Sequence, residues 1–180
     1  MSTQATSKWT IDPLHSEIHF KVKHLMINTV TSSFKKFEGT LEGGKEDFSD
    51  AQISFTTDIA SIDTGMEARD NHLKSDDFFN AEKYPQLKFV STSFIKTGEN
   101  TYALKGDITI RETTRPIELA VEYGGKQTDF YGNTKAGFEL TGKLSRKEFG
   151  LNWNGVTEAG GIVVSDEVKL ALNVQLQLLQ

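Results

Sequence analysis

The 180-residue sequence predicts an all-β domain, an antiparallel barrel with an apolar interior, and three observations point there. Apolar residues recur at every second position in run after run. Glycine-bearing turns divide the runs. A single long stretch, residues 61–85, breaks the alternation with helix signals instead.

The runs follow one another along the chain. Ile18, Phe20 and Val22 alternate with Glu17, His19, Lys21 and Lys23. Successive strand side chains point to opposite faces, so such a run has one apolar and one wet face. Residues 34–41 read as a strand with less regular alternation. Ile53, Phe55, Thr57 and Ile59 form a short run, and Leu87, Phe89, Ser91, Ser93 and Ile95 mark one face of another. Tyr102, Leu104, Gly106, Ile108 and Ile110 follow, then Ile117, Leu119, Val121 and Tyr123, then Ala136, Phe138, Leu140, Gly142 and Leu144. The longest run is the last: Val168, Leu170, Leu172, Val174, Leu176 and Leu178, with polar residues or Ala171 between them. A helix would scatter these leucines around its circumference.

Gly43-Gly44, Gly98-Glu99-Asn100 and Gly124-Gly125 read as hairpin breaks. Several strands at near-regular spacing with one apolar face suit a sandwich or a barrel, and closure removes exposed edges. Within residues 61–85, Thr64 and Glu67 have capping-box spacing, which predicts a short helix to about Leu73. Asn80 would cap a further turn, stopped at Tyr84-Pro85, so the helical insertion covers about residues 64–83. Asp76 and Asp77 read as acids at a helix start. An insertion of this length between strands could plug or gate one barrel end. Residues 8–180 are expected to form one domain, residues 1–7 a disordered tail, and residues 152–161 a polar rim loop.

Composition narrows the function. There is no cysteine, which excludes disulfides, zinc–thiolate sites and cysteine nucleophiles. The net charge is −5 with no basic block, so no nucleic-acid partner is expected. No apolar stretch is long enough for a helical membrane span, and the opening residues carry no apolar run. A cytoplasmic location is therefore expected for the chain as it stands, or a periplasmic one if a signal segment had been removed. Neither a Gly-x-Ser-x-Gly elbow nor a phosphate loop is present, and no cofactor is expected.

Twelve phenylalanines and four tyrosines fall mostly on strand faces or in the insertion. An eight-stranded barrel can fill with side chains or hold one slim ligand. Thr57, Ser91, Ser93, Gly106 and Gly142 sit in apolar registers and would leave room for such a ligand. The alternative is that they mark bends and close strand approach.

The segment Trp9-Thr10-Ile11-Asp12-Pro13-Leu14-His15-Ser16-Glu17-Ile18-His19-Phe20 resembles the opening motif of the YceI-like family. So do Ser33-Phe34-Lys35-Lys36-Phe37-Glu38-Gly39, Arg69-Asp70-Asn71-His72-Leu73 followed by Asp77-Phe78-Phe79-Asn80, and Arg146-Lys147-Glu148-Phe149-Gly150-Leu151. The resemblance covers nearly the whole chain. It implies a lipocalin-like antiparallel barrel of eight strands with a helical insertion. It further implies a carrier, storage or sequestering protein for a long apolar ligand, such as a polyisoprenoid, an isoprenoid quinone or a similar lipid. Two positions depart from the family pattern, Glu112 and Ser32, where glycine is often found, and both are expected at turns.

Cavity-lining positions are expected at Ile18, Phe20, Val22, Phe55, Phe78, Phe79, Phe89, Ile108, Phe138, Leu140, Leu170 and Leu172. Arg69, His72 and Arg146 are the candidates for a polar head group, Arg69 because a guanidinium can hold a phosphate bidentately. The competing reading is that Arg69, Asp70 and Arg146 pin local structure. No metal site is expected: His15 and His19 would share a strand face and His24 would lie opposite, which leaves too few ligands. No catalytic residue is assigned. An enzyme at the barrel mouth would need Arg69, His72 and a carboxylate such as Asp70 or Asp77 to converge. Ser16 and His15 are strand neighbours and cannot form a dyad there. The insertion could also serve a homodimer interface.

Overall fold

The structure is a computed structural model that describes residues 6–25, 27–43, 45, 47–151 and 164–179. The rim loop expected at 152–161 and the first five residues of the expected tail lie outside the described residues. Eleven strand segments occur among the described residues. They are β1 (Ser7–Ile11), β2 (Glu17–His24), β3 (Asn28–Phe34), β4 (Phe37–Gly43), β5 (Gln52–Asp58), β6 (Ile62–Asp63), β7 (Gln86–Lys96), β8 (Thr101–Ile110), β9 (Thr113–Thr128), β10 (Thr134–Ser145) and β11 (Glu167–Leu178). One α-helix, α1 (Glu67–Lys74), occurs among the described residues. Ser7, expected in the tail, opens β1.

Three pairs of segments act as single bent strands. β1 and β2 both pair with β11, through Ile11↔Leu176 and Ile18↔Leu172, and are interrupted by a 3-10 turn at Pro13–His15. Pro13 favours that break because it has no N–H to give to the ladder. β4 pairs with β1 and β3 with β2, and the bend falls at Lys35 and Lys36. This corrects the single strand expected over residues 34–41. β5 pairs with β4 and β6 with β3, divided by a 3-10 turn at Ile59–Ser61. With β7 to β11 these make a closed barrel of eight antiparallel strands, sealed where β11 meets β1.

One end of the barrel carries the insertion, the β2–β3 and β8–β9 turns, and the connection from β10 to β11. The opposite end carries the β4–β5, β7–β8 and β9–β10 connections.

Two bulges change the expected registers. Between Ser91 and Ser93 the β7–β8 register shifts by one residue, so Phe94 turns inward and is buried. Ile95, expected on the inner face, is 54 % exposed. A one-residue slip moves every later side chain to the other face. A second shift lies between Gly137 and Phe138 in the β9–β10 pair. There Gly125, at φ 111°, lets β9 continue to Thr128, and the connection comes at residues 129–133 instead of at Gly124-Gly125. Ser32 is also not in a turn; it lies buried in β3 opposite Phe20.

Candidate functional site

The inward faces do not fill the barrel. They enclose a cavity of about 400 Å³, within the usual range for small-molecule sites. All twelve positions expected to line a cavity border it. Ile18, Phe20 and Val22 come from β2, Phe55 from β5, Phe89 from β7 and Ile108 from β8. Phe138 and Leu140 come from β10, Leu170 and Leu172 from β11, and Phe78 and Phe79 from the insertion. Phe20, Phe34 and Phe79 touch ring to ring at 5.2, 6.5 and 6.2 Å, which seats the insertion on the wall.

Four of the five small residues credited with the space serve close packing or backbone hydrogen bonds. A β-carbon on Gly106 would fall 2.5 Å from the Phe89 ring and from the Val90 carbonyl. One on Gly142 would collide with Leu119. Both glycines permit close approach by a large neighbour, the alternative weighed for them. The Thr57 hydroxyl donates to the Lys36 carbonyl at 2.9 Å, and Ser91 Oγ accepts from the Ile53 N–H at 2.8 Å. These two side chains satisfy backbone groups where the strands bend or bulge.

Polar and charged groups gather at the insertion end, where Lys23, His24, Thr64, Arg69, His72 and Arg146 border the cavity. Several already have partners. Asp70 Oδ1 accepts from both the N–H and the hydroxyl of Thr64, at 2.8 and 2.6 Å. Arg69 donates from Nε to Thr64 Oγ1 and from Nη2 to the Thr64 carbonyl, both at 2.8 Å. This Thr64–Arg69–Asp70 clamp replaces the expected Thr64–Glu67 capping box. The residue that caps α1 is Met66, which supplies no side-chain hydrogen bond. His72 Nε2 lies 2.9 Å from Asp77 Oδ2, and its ring meets Phe78 edge-on.

Arg146 is 3 % exposed. It donates to the carbonyls of Ser165, Leu151 and Val164 at 2.9, 2.6 and 3.1 Å. Burial pushes its guanidinium below the ordinary value, and Asp166 works against that. Arg146 thus ties the β10 corner to the start of β11, which is the anchoring role weighed against a head-group role.

The residues required of an enzyme fall into two networks. Arg69 and Asp70 share Thr64, whereas His72 pairs with Asp77. Asp76 and Asp77 do not start a helix; Asp76 pairs with Arg111 at 3.1 Å. His15 lies in the 3-10 turn against Asp12, His19 pairs with Glu17, and His24 borders the cavity. No group of three or more potential metal ligands occurs among the described residues.

Sequence reasoning missed two elements of the site. Arg111 stands at φ 55° in the β8–β9 turn and donates to the Asp76 and Phe78 carbonyls at 3.3 and 3.1 Å. It also lies over the Tyr84 ring, whose hydroxyl donates to Glu112 at 3.1 Å. The turn therefore holds the insertion down, and Glu112, expected in a turn, serves this purpose. The other element is Phe48, a lone aromatic in a polar stretch, which enters the bore from the opposite end. It meets Trp9, Tyr123 and Phe138 at 5.6, 5.6 and 5.4 Å.

A family model for the YceI-like domain matches residues 9–176. The chain belongs to the YceI-like family. A UPF0312 protein of Staphylococcus aureus (strain USA300) is 34% identical over 173 residues, spanning 96% of this chain and 98% of that relative. Two solved structures share the YceI-like fold. BcnA of Burkholderia cenocepacia has a TM-score of 0.80 at 22% identity and covers 92% of this chain and 98% of its own. A polyisoprenoid binding domain from Saccharophagus degradans, implicated in plant cell wall breakdown, has a TM-score of 0.67 at 14% identity, with 94% and 97% covered.

Proposed function

We propose that this protein holds a long apolar chain, a polyisoprenoid, an isoprenoid quinone or a similar lipid, inside its barrel as carrier, store or sequestering protein. The observation that carries this reading is the 400 Å³ cavity whose walls are mostly aliphatic and aromatic, with its lysine and arginine side chains at the insertion end. Burial of an apolar chain there contributes about 25 cal/mol for each Å² removed from water. The ligand's polar end sits beside Lys23, His24 and His72, and its tail runs toward Phe138. The polyisoprenoid binding of a fold relative supports this choice of ligand class.

Native mass spectrometry of the purified protein, followed by solvent extraction, tests the reading. A bound or loadable isoprenoid, quinone or fatty chain is the expected result. A protein that neither carries nor takes up any such molecule would overturn it.

A further inference from the structure

The end of the barrel opposite the insertion is packed with aromatic side chains, one of which comes from outside the wall. The cavity is bordered at that end by Ile11, Leu41, Val121 and Phe138. Phe48 and Tyr123 pack against Phe138 without bordering the cavity themselves. Phe48, on the β4–β5 connection, is 2 % exposed and packs edge-on against Trp9, Tyr123 and Phe138. Its backbone stands at φ 62°, a conformation rare for a phenylalanine, so the surrounding contacts must hold it. The Tyr102 hydroxyl donates to the Asp47 carbonyl at 2.5 Å, and the Ala51 N–H donates to the Phe48 carbonyl at 2.9 Å. Asp47 Oδ1 accepts from the Ser49 N–H and hydroxyl at 3.0 and 2.7 Å. Lys126 Nζ caps the Phe48 ring 5.0 Å from its centroid.

Resting on the ligand reading above, we propose that Phe48 is a stopper that sets how much of the chain the barrel takes in. A chain longer than the bore leaves its remainder outside the mouth at the insertion end.

The test is a binding series with prenyl alcohols of two to eight isoprene units. For the unaltered protein, affinity is expected to rise with chain length and then level off. Phe48→Ala is expected to carry the rise at least one unit further. Tyr102→Phe, which loosens the connection that carries Phe48 but leaves the cavity lining unchanged, is expected to do the same to a smaller degree. Circular dichroism identifies any variant that fails to fold, and Tyr102→Phe carries the test if Phe48→Ala does not fold. A plateau that stays at the unaltered protein's chain length in the folded variants overturns the stopper while leaving the ligand reading intact. An unaltered protein that binds none of the alcohols overturns both.

Discussion

Gly106 meets the Phe89 ring across the β7–β8 pair with no room for a β-carbon. Gly106→Ala is expected to lower stability by about 1–3 kcal/mol, as overpacking of a close-packed site does. Urea unfolding would show the shift, and an unchanged midpoint would contradict the packing described. Asp12 supplies a second prediction at this scale. Burial raises its carboxyl, but hydrogen bonds from Lys135, His15 and the Leu14 N–H, with the Lys135 charge, bring it down to about 2. Its folded value lies below the unfolded value near ~4, so the stabilisation is complete above about pH 4 and is lost as pH falls through 2. The contribution is on the order of 2 kcal/mol. Asp12→Asn is expected to flatten the acid limb of a stability–pH curve between ~4 and ~2. A variant with the same acid limb as the parent would refute this role. The Asp12–Lys135 contact, at 2.7 Å, joins residues 123 positions apart, so alternation along one strand could not disclose it.

At the scale of elements, the insertion is held by a turn that sequence reading passed over. Arg111 reaches the Asp76 and Phe78 carbonyls and the Asp76 carboxylate. Charge-assisted hydrogen bonds of this kind contribute about 1.5–3 kcal/mol each. Arg111→Ala is expected to speed amide exchange in residues 75–84 by about tenfold or more while the barrel strands keep their protection. Equal exchange in parent and variant would show that the turn does not restrain the insertion. The strands with strict alternation, β8, the first half of β9, β10 and β11, were legible because each carries its apolar residues on one face. β3 was not, since Asn28, Thr29, Thr31, Ser32 and Ser33 carry little apolar signal. The bulge in β7 was also hidden. Ser91-Thr92-Ser93 is polar throughout, and nothing in it marks where the inward set passes from Phe89 to Phe94. Phe48 was within reach of a sequence reading, because a single aromatic among Lys45, Asp47, Ser49 and Asp50 needs a place to be buried.

For the whole molecule, the bore was legible in outline and not in cause. The inward registers named the lining, since alternation places Ile18, Leu140 and Leu172 on one inner surface. The source of the space was misread. Gly106 and Gly142 are filled by Phe89 and Leu119, and the cavity lies instead along the axis between the aromatic floor and the insertion. The head-group candidates separated for a similar reason. Arg146 and Arg69 have the chemistry for an anion, but their donors go to backbone carbonyls and to Thr64. Filling the bore should therefore matter more than removing either arginine's charge. Leu140→Trp is expected to weaken uptake of an apolar chain by about tenfold or more, with the fold retained. A filled variant that loads as well as the parent would place the ligand elsewhere. The most direct test is an electron-density map of the protein loaded with a three-unit prenyl alcohol. Continuous density is expected along Ile18, Phe89 and Leu172, with the hydroxyl near Lys23 and His72 and the tail against Phe138. A bore holding only ordered water, with the alcohol on the outer surface or absent, would contradict it.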